Sequence, residues 1–186
     1  MQNNETLRQA NAFAMQDGIV LGLWGIATMW VFKGSFSVPF FSSLFAAMFL
    51  CSPVVAALQT LRYRRAVAGK EGSFAFSRGF LHALLTGFYA SVWVAIAIFV
   101  YLQYFDHGRL FAAYAQSLNA PQVQAYFQQS GMAASIDAIS GGRGAEGLAD
   151  AMQAVGAANY AALSLYAALL LGPAISAVIG WVARRG

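Results

Sequence analysis

GFLHALLTGFYASVWVAIAIFVYLQYF, residues 79–105, runs without one Asp, Glu, Lys or Arg. As a helix rising 1.5 Å per residue it would measure about 40 Å, more than the roughly 30 Å hydrocarbon core of a bilayer. Three further uncharged runs flank it, at 18–32, 34–61 and 151–183. The first of these is short and leans on its flanks. The apolar runs are continuous and rich in Ala, Leu and Gly, without the ten-residue alternation of barrel strands. Lipid offers backbone N–H and C=O groups no partner, so the spanning structures are helices. The expected fold is therefore an all-α membrane protein.

Composition agrees. Of 186 residues, 59% are hydrophobic and 10% charged, with a mean hydropathy of +0.57, against roughly 25% charged residues in a soluble domain. The net charge is +4. A nucleic-acid partner would need a basic face on a folded domain, and here the arginines mark loops instead. The lone cysteine, Cys51, lies inside the second run and forms no internal disulfide. The N-terminal stretch carries Glu5, Arg8 and Asp17 and ends in bulky Trp30, Val31 and Phe32, so it reads as a retained helix and not a cleaved leader.

Charge sets the expected orientation. Arg62, Arg64, Arg65 and Lys70 follow the second run, Arg78 precedes the third, and Arg184 and Arg185 follow the fourth. Short Lys/Arg-rich loops stay in the cytoplasm, and four spans allow both clusters to do so. The expectation is one membrane domain over 1–186, with spans at about 14–33, 39–61, 77–105 and 159–182. Both termini would be cytoplasmic in a bacterial inner membrane, and 106–158 would be periplasmic. That outer insertion should hold short helices over 107–118 and 122–129. A third, over 145–158, should run on into the fourth span. Gly141, Gly142, Arg143 and Gly144 should form a flexible tip.

The two halves echo each other. Phe13-Ala14 before Asp17-Gly18 matches Phe74-Ala75 before Arg78-Gly79. Pro53 before Arg64-Arg65 matches Pro173 before Arg184-Arg185 at the same spacing. This predicts two hairpins in a parallel repeat about a pseudo-twofold axis along the membrane normal. Small residues recur every fourth position: Gly79, Ala83, Gly87 and Ser91 on the third span, Gly172, Ser176 and Gly180 on the fourth. Such stripes let helix backbones approach, within the bundle or between copies of the chain. Pro53 and Pro173 lie well inside their spans and should shape the helices there.

Polar residues are few. Asp17 and Arg78 fall at matched depth near the inner boundary, where they could pair or each reach separately for the headgroups. His82 lies one turn after Arg78 and reads as a hydrogen-bonded interface residue. No second His, Cys or carboxylate stands at ligand spacing, so no metal and no cofactor are expected. No nucleophile elbow, phosphate loop or dinucleotide fingerprint is present, and the chain reads as a non-enzyme.

Ser73-Phe74-Ala75-Phe76-Ser77-Arg78-Gly79-Phe80 opens the third span, and Ile175-Ser176-Ala177-Val178-Ile179 precedes Arg184-Arg185. With the four-span layout, the chain resembles an uncharacterised family of small four-helix inner-membrane proteins from Bacteroidetes, known only as a domain of unknown function. The resemblance implies an inner-membrane bundle with a helical outer loop and assigns no catalytic residue. The outer segment departs from that family's charged helices in being rich in Gln, Ala and Gly. The functional expectation is an accessory or scaffold subunit whose partners are the bilayer and a protein partner or second copy, with no nucleic acid. The alternative is a small-solute or lipid transporter.

Overall fold

The computed structural model describes residues 2–69 and 72–185, apart from the side chains of 2–4 and 6. Lys70 and Glu71, part of the basic loop, lie outside the described residues.

Four helices are long and apolar enough to cross a membrane, the make-up of a four-span membrane protein. They are α1 (Gln2–Ser35), α2 (Pro39–Ala68), α3 (Phe76–Val100) and, last in the chain, α8 (Ala157–Ala183). A π-helical stretch, Tyr101–Asp106, continues α3. Between it and α8 stand α4 (Arg109–Leu118), α5 (Pro121–Ser130), α6 (Met132–Ser140) and α7 (Gly144–Val155).

Local chemistry sets the boundaries. Pro39 and Pro121 each occupy a first helical turn, where a missing N–H costs nothing. Between α1 and α2 the amides of Ser37 and Val38 close a turn on the Gly34 carbonyl. His107 (φ 48°) and Gly108 (φ 79°) adopt the left-handed conformation and end the third span. Gly156 (φ 83°) separates α7 from α8. The sequence predicts one helix running from 145 into the fourth span, but the positive φ of this glycine breaks it. Helix α6 was not expected; its nine residues carry too short an apolar pattern to be read alone. The glycines at 141, 142 and 144 all have positive φ and form the turn between α6 and α7.

Helix α3 is the centre of the bundle, with α1 against one side and α8 against the other. Helix α2 closes the remaining angle against α1 and, less closely, α8. Lipid supplies little hydrophobic drive between helices, so contact depends on small residues and dispersion. Ala56, Ala83 and Ile179 pack as one buried cluster, Ala10, Tyr63, Phe74 and Ala183 as another. The second joins the N-terminal turns of α1 to the C-terminal end of the chain, so both chain ends lie at one end of the bundle. There Phe74 and Arg185 form an antiparallel bridge, and Arg64 Nη1 donates to the Ala183 carbonyl at 3.1 Å. The Arg62–Arg65 and Arg184–Arg185 clusters thus share that end.

The opposite end carries its own core. Phe111, Ala115 and Leu118 of α4 pack on Ala145 and Ala149 of α7, with Leu102 and Tyr160 against them. The ring of Tyr114 meets that of Phe36 beyond the end of α1. Helices α4 and α7 thus cover their facing apolar sides against one another, while Tyr126, Met132 and Ile139 of α5 and α6 stay exposed.

Candidate functional site: a buried aspartate–histidine cluster

Ionisable side chains are costly inside a membrane bundle and mark function by default. Asp17 on α1 is 2% exposed and His82 on α3 is fully buried. Asp17 Oδ2 stands 3.3 Å from His82 Nε2. On the other carboxylate oxygen, Arg62 Nη1 approaches Oδ1 at 3.8 Å from a side chain that is 67% exposed. His82 Nδ1 lies 3.1 Å from Thr60 Oγ1 on α2, and that hydroxyl also lies 3.1 Å from the Ala56 carbonyl. The ring of Tyr63 stacks on that of His82, centroids 4.4 Å apart and nearly parallel at 10°. Gln59 Nε2 donates to the Asp17 backbone carbonyl at 3.1 Å. Three helices therefore converge on one polar layer beneath an Ala-lined core.

Backbone approach creates the layer. A Cβ at Gly18 would stand 2.5 Å from Tyr89 Cβ and 3.3 Å from the Thr86 carbonyl. The absence of that carbon brings α1 down onto α3 and delivers the adjacent Asp17 to His82. Tyr89 reaches back along the same seam to donate to Asn11 Oδ1 at 2.7 Å. Among the described residues, the buried side-chain atoms without a hydrogen bond are Asp17 Oδ2, Gln59 Oε1, Tyr63 OH, His82 Nε2 and Thr86 Oγ1. All five belong to this layer. Buried polar atoms are overwhelmingly paired, so such a concentration marks a site and not a packing core.

The chain belongs to a named family. A family described as "Protein of unknown function (DUF4199)" matches residues 16–185. This protein is a member of the DUF4199 family. No curated protein and no solved structure matches the chain. The DUF4199 match takes in every residue of the cluster, from Asp17 on α1 to the helices that cover it.

The sequence offers Asp17 and Arg78 as a pair or as separate contacts to the headgroups; the structure gives Asp17 His82 and Arg62. Arg78 stands within electrostatic range of Tyr63. The repeat register set Asp17 and Arg78 at one depth, but depth does not fix which way a side chain faces. A polar stripe at helical spacing, Arg78, His82 and Thr86, with Gln59, Thr60 and Tyr63 opposite, was the available signal.

The stripes divide. Gly79 packs on Gly180, and Ala83 and Ser176 are buried. Gly180 lies against the Phe80 backbone, while Gly172 meets only Leu84 and Gly87 faces open space. Ser91 donates to the Phe88 carbonyl at its own surface. Pro53 and Pro173 are exposed on unbroken helices. Beside Pro53, Ser52 donates to the Met48 carbonyl and accepts from Trp24 Nε1 at 3.1 Å, tying α2 to α1.

At the far end, Asp106 is 1% exposed. Its Oδ1 accepts from the Tyr101 hydroxyl at 2.6 Å, and the carboxylate accepts the Leu110 amide at 3.1 Å, capping α4. A cavity of about 320 Å³ lies beside Tyr101, walled by Met29, Ile98, Leu102, Phe111 and Met152. Lys33 at its edge lies over the rings of Trp30 and Tyr101, 5.1 and 5.0 Å from their centroids. Among the described residues no group of three or more His, Cys, Asp or Glu could hold a metal ion.

Proposed function

We propose that this DUF4199 protein is a non-enzymatic accessory or scaffold subunit of a bacterial inner membrane. The observation carrying this reading is the closeness of its helix seams. Added β-carbons at Gly18, Gly22 and Gly25 would meet Tyr89, Trp93 and Val94 of α3 at 2.5, 2.8 and 2.6 Å. On the other side of α3, one at Gly180 would stand 2.8 Å from the Phe80 amide nitrogen. Seams this tight, on both sides of the central helix, leave little freedom for helices to part and pass a solute. The outward faces of α2 and α8 carry Leu50, Val54, Leu58, Leu170 and Val178, all largely exposed. That surface suits lipid or the apolar flank of a neighbouring subunit.

Orientation follows the arginines. The basic clusters gathered at the end bearing both termini support a cytoplasmic placement of that end and a periplasmic 106–158 segment. Photocrosslinkers at Val54 and Val178 in native membranes test the scaffold reading. A discrete protein adduct, the same from both positions or from a second copy, is expected. Crosslinks to lipid alone at both positions overturn it.

A second reading, a small-solute or lipid transporter built on a pseudo-twofold repeat, has one specific support. The buried residues of α2 are Ala56, Gln59, Thr60 and Tyr63; those of α8 are Ser176, Ile179, Gly180 and Ala183. Placing Pro53 on Pro173 superimposes the two sets position for position. Matching inward faces on α2 and α8 are what such a repeat would require. Solute flux into proteoliposomes that stops when α3 is crosslinked to α8 would favour this reading over the first.

A further inference from the structure

The contacts around His82 admit two proton counts, and the bond from Thr60 to Ala56 selects between them. Thr60 has one hydroxyl proton and two neighbours 3.1 Å from its oxygen, the Ala56 carbonyl and His82 Nδ1. A carbonyl oxygen only accepts, so a bond to Ala56 uses the Thr60 proton. Nδ1 must then carry its own proton and donate to Oγ1. In a neutral imidazole this leaves Nε2 bare. Bare Nε2 faces Asp17 Oδ2 at 3.3 Å, and two acceptors repel. One added proton between them turns the contact into a hydrogen bond and brings the pair to neutrality. Both of these atoms are among those left unpaired in the buried layer.

We propose that Asp17 and His82 form a one-proton binding site inside the bundle, loaded from the arginine-bearing end. Loaded, the proton sits between Oδ2 and Nε2, Nδ1–H donates to Thr60, and Thr60 donates to Ala56. Unloaded, the proton leaves to water. The ring's remaining proton moves to Nε2 and points at the carboxylate, while Thr60 releases Ala56 and donates to Nδ1. The pair's charge goes from zero to −1, and no covalent bond changes other than those to hydrogen. The unloaded pair's negative charge is left to Arg62, 3.8 Å from Oδ1 and largely in solvent, and a buried charge so weakly balanced is expensive, which favours the loaded form in a closed bundle.

The surroundings fit a binding site open on one side. From α2, Arg62 links Oδ1 to solvent through its exposed side chain, and Tyr63 stacks on the ring. From α3, Thr86 lies one turn beyond His82, and Arg78 stands within range of Tyr63. From α8, the buried residues Ser176, Ile179, Gly180 and Ala183 bring no ionisable group. Toward the opposite end, Trp93 and Val94 close on Gly22 and Gly25, which seals the α1–α3 seam on that side of the site. The inference therefore goes beyond the scaffold reading without making the protein a pump.

The chain has two histidines, so His107→Gln leaves His82 alone in ring ¹⁵N NMR. Spectra of this variant in lipid nanodiscs would be taken between about pH 4 and pH 9, across the ordinary carboxylate and imidazole ranges. The expected result is a single proton transition that alters Nε2 and Nδ1 together. Asp17→Asn should abolish it. Thr60→Val, which keeps the shape and removes only the hydroxyl, should move it, so the proposal remains testable if Asp17→Asn does not fold. A ring whose nitrogens stay unchanged across the range overturns the proposal. So does a transition indifferent to Asp17→Asn or to Thr60→Val.

Discussion

Two glycines from the same sequence pattern should respond oppositely to one substitution. Gly180 and Gly87 both belong to four-residue stripes of small side chains, on α8 and α3. A β-carbon at Gly180 would stand 2.8, 3.0 and 3.1 Å from the amide nitrogen, Cα and Cβ of Phe80. Two of those atoms are backbone, so α3 and α8 must separate by roughly 0.5 Å to restore ordinary contact. A gap of that size forfeits about a quarter of the dispersion well for each atom pair across it. Overpacking of this kind costs about 1–3 kcal/mol. The backbone of alanine favours a helix by about 0.5–1 kcal/mol over glycine, which offsets part of the loss. Gly180→Ala should therefore destabilise the protein by about 1–2 kcal/mol. At Gly87 nothing lies within 4 Å of the added carbon, so only the backbone gain remains, about 0.5 kcal/mol. The gap between the variants is about 2 kcal/mol, roughly 30-fold in the folded-to-unfolded ratio. Unfolding by SDS in mixed micelles, followed by Trp fluorescence, measures both. Equal effects, or a stabilising Gly180→Ala, would refute the assignment of the α3–α8 seam as a backbone contact.

Other consequences can be read at single residues. Asp106→Asn removes the carboxylate that accepts from Tyr101 and the Leu110 amide; a loss of about 1–3 kcal/mol should appear as faster hydrogen exchange across α4. Tyr89→Phe deletes the hydroxyl bonded to Asn11, and thermal unfolding in detergent should register about 0.5–1.5 kcal/mol less stability. Cys51 is exposed on the outside of α2, so in native membranes an apolar maleimide should label it and a charged, impermeant one should not. Labelling by both reagents alike would place that face in water.

Much of the fold could be read in advance because length and charge speak directly to the bilayer. The uncharged runs correspond to α1, α2, α3 and α8, and Pro39 and Pro121 mark first turns. The outer segment was harder. Its short helices depend on mutual packing, so Met132–Ser140 carried no clear pattern of its own. The break at Gly156 is a backbone choice that the apolar sequence around it does not announce. The candidate site was half visible. Asp17 stands out in the sequence as an acid at the margin of a span and His82 as a polar residue one turn past Arg78, but nothing in the sequence pairs the two.

The reason lies in what a helical sequence encodes. Position along a span gives depth to within a turn, which sets Arg78 at the level of Asp17 and leaves His82, one turn on, inside the same margin. Facing is decided by where two backbones touch. That contact is set by Gly18, which lets Tyr89 of α3 sit where a side chain would otherwise be, and the residue preceding it in the chain is Asp17. The glycine and the aspartate thus act as one device. The first fixes the approach of α1 to α3, and the second is carried by it to the ring of His82. A bundle assembled only for close packing would gain nothing from placing a carboxylate beside its tightest seam. That this one does, and surrounds it with four further polar atoms that lack a hydrogen bond, is the physical ground for treating the layer as a site.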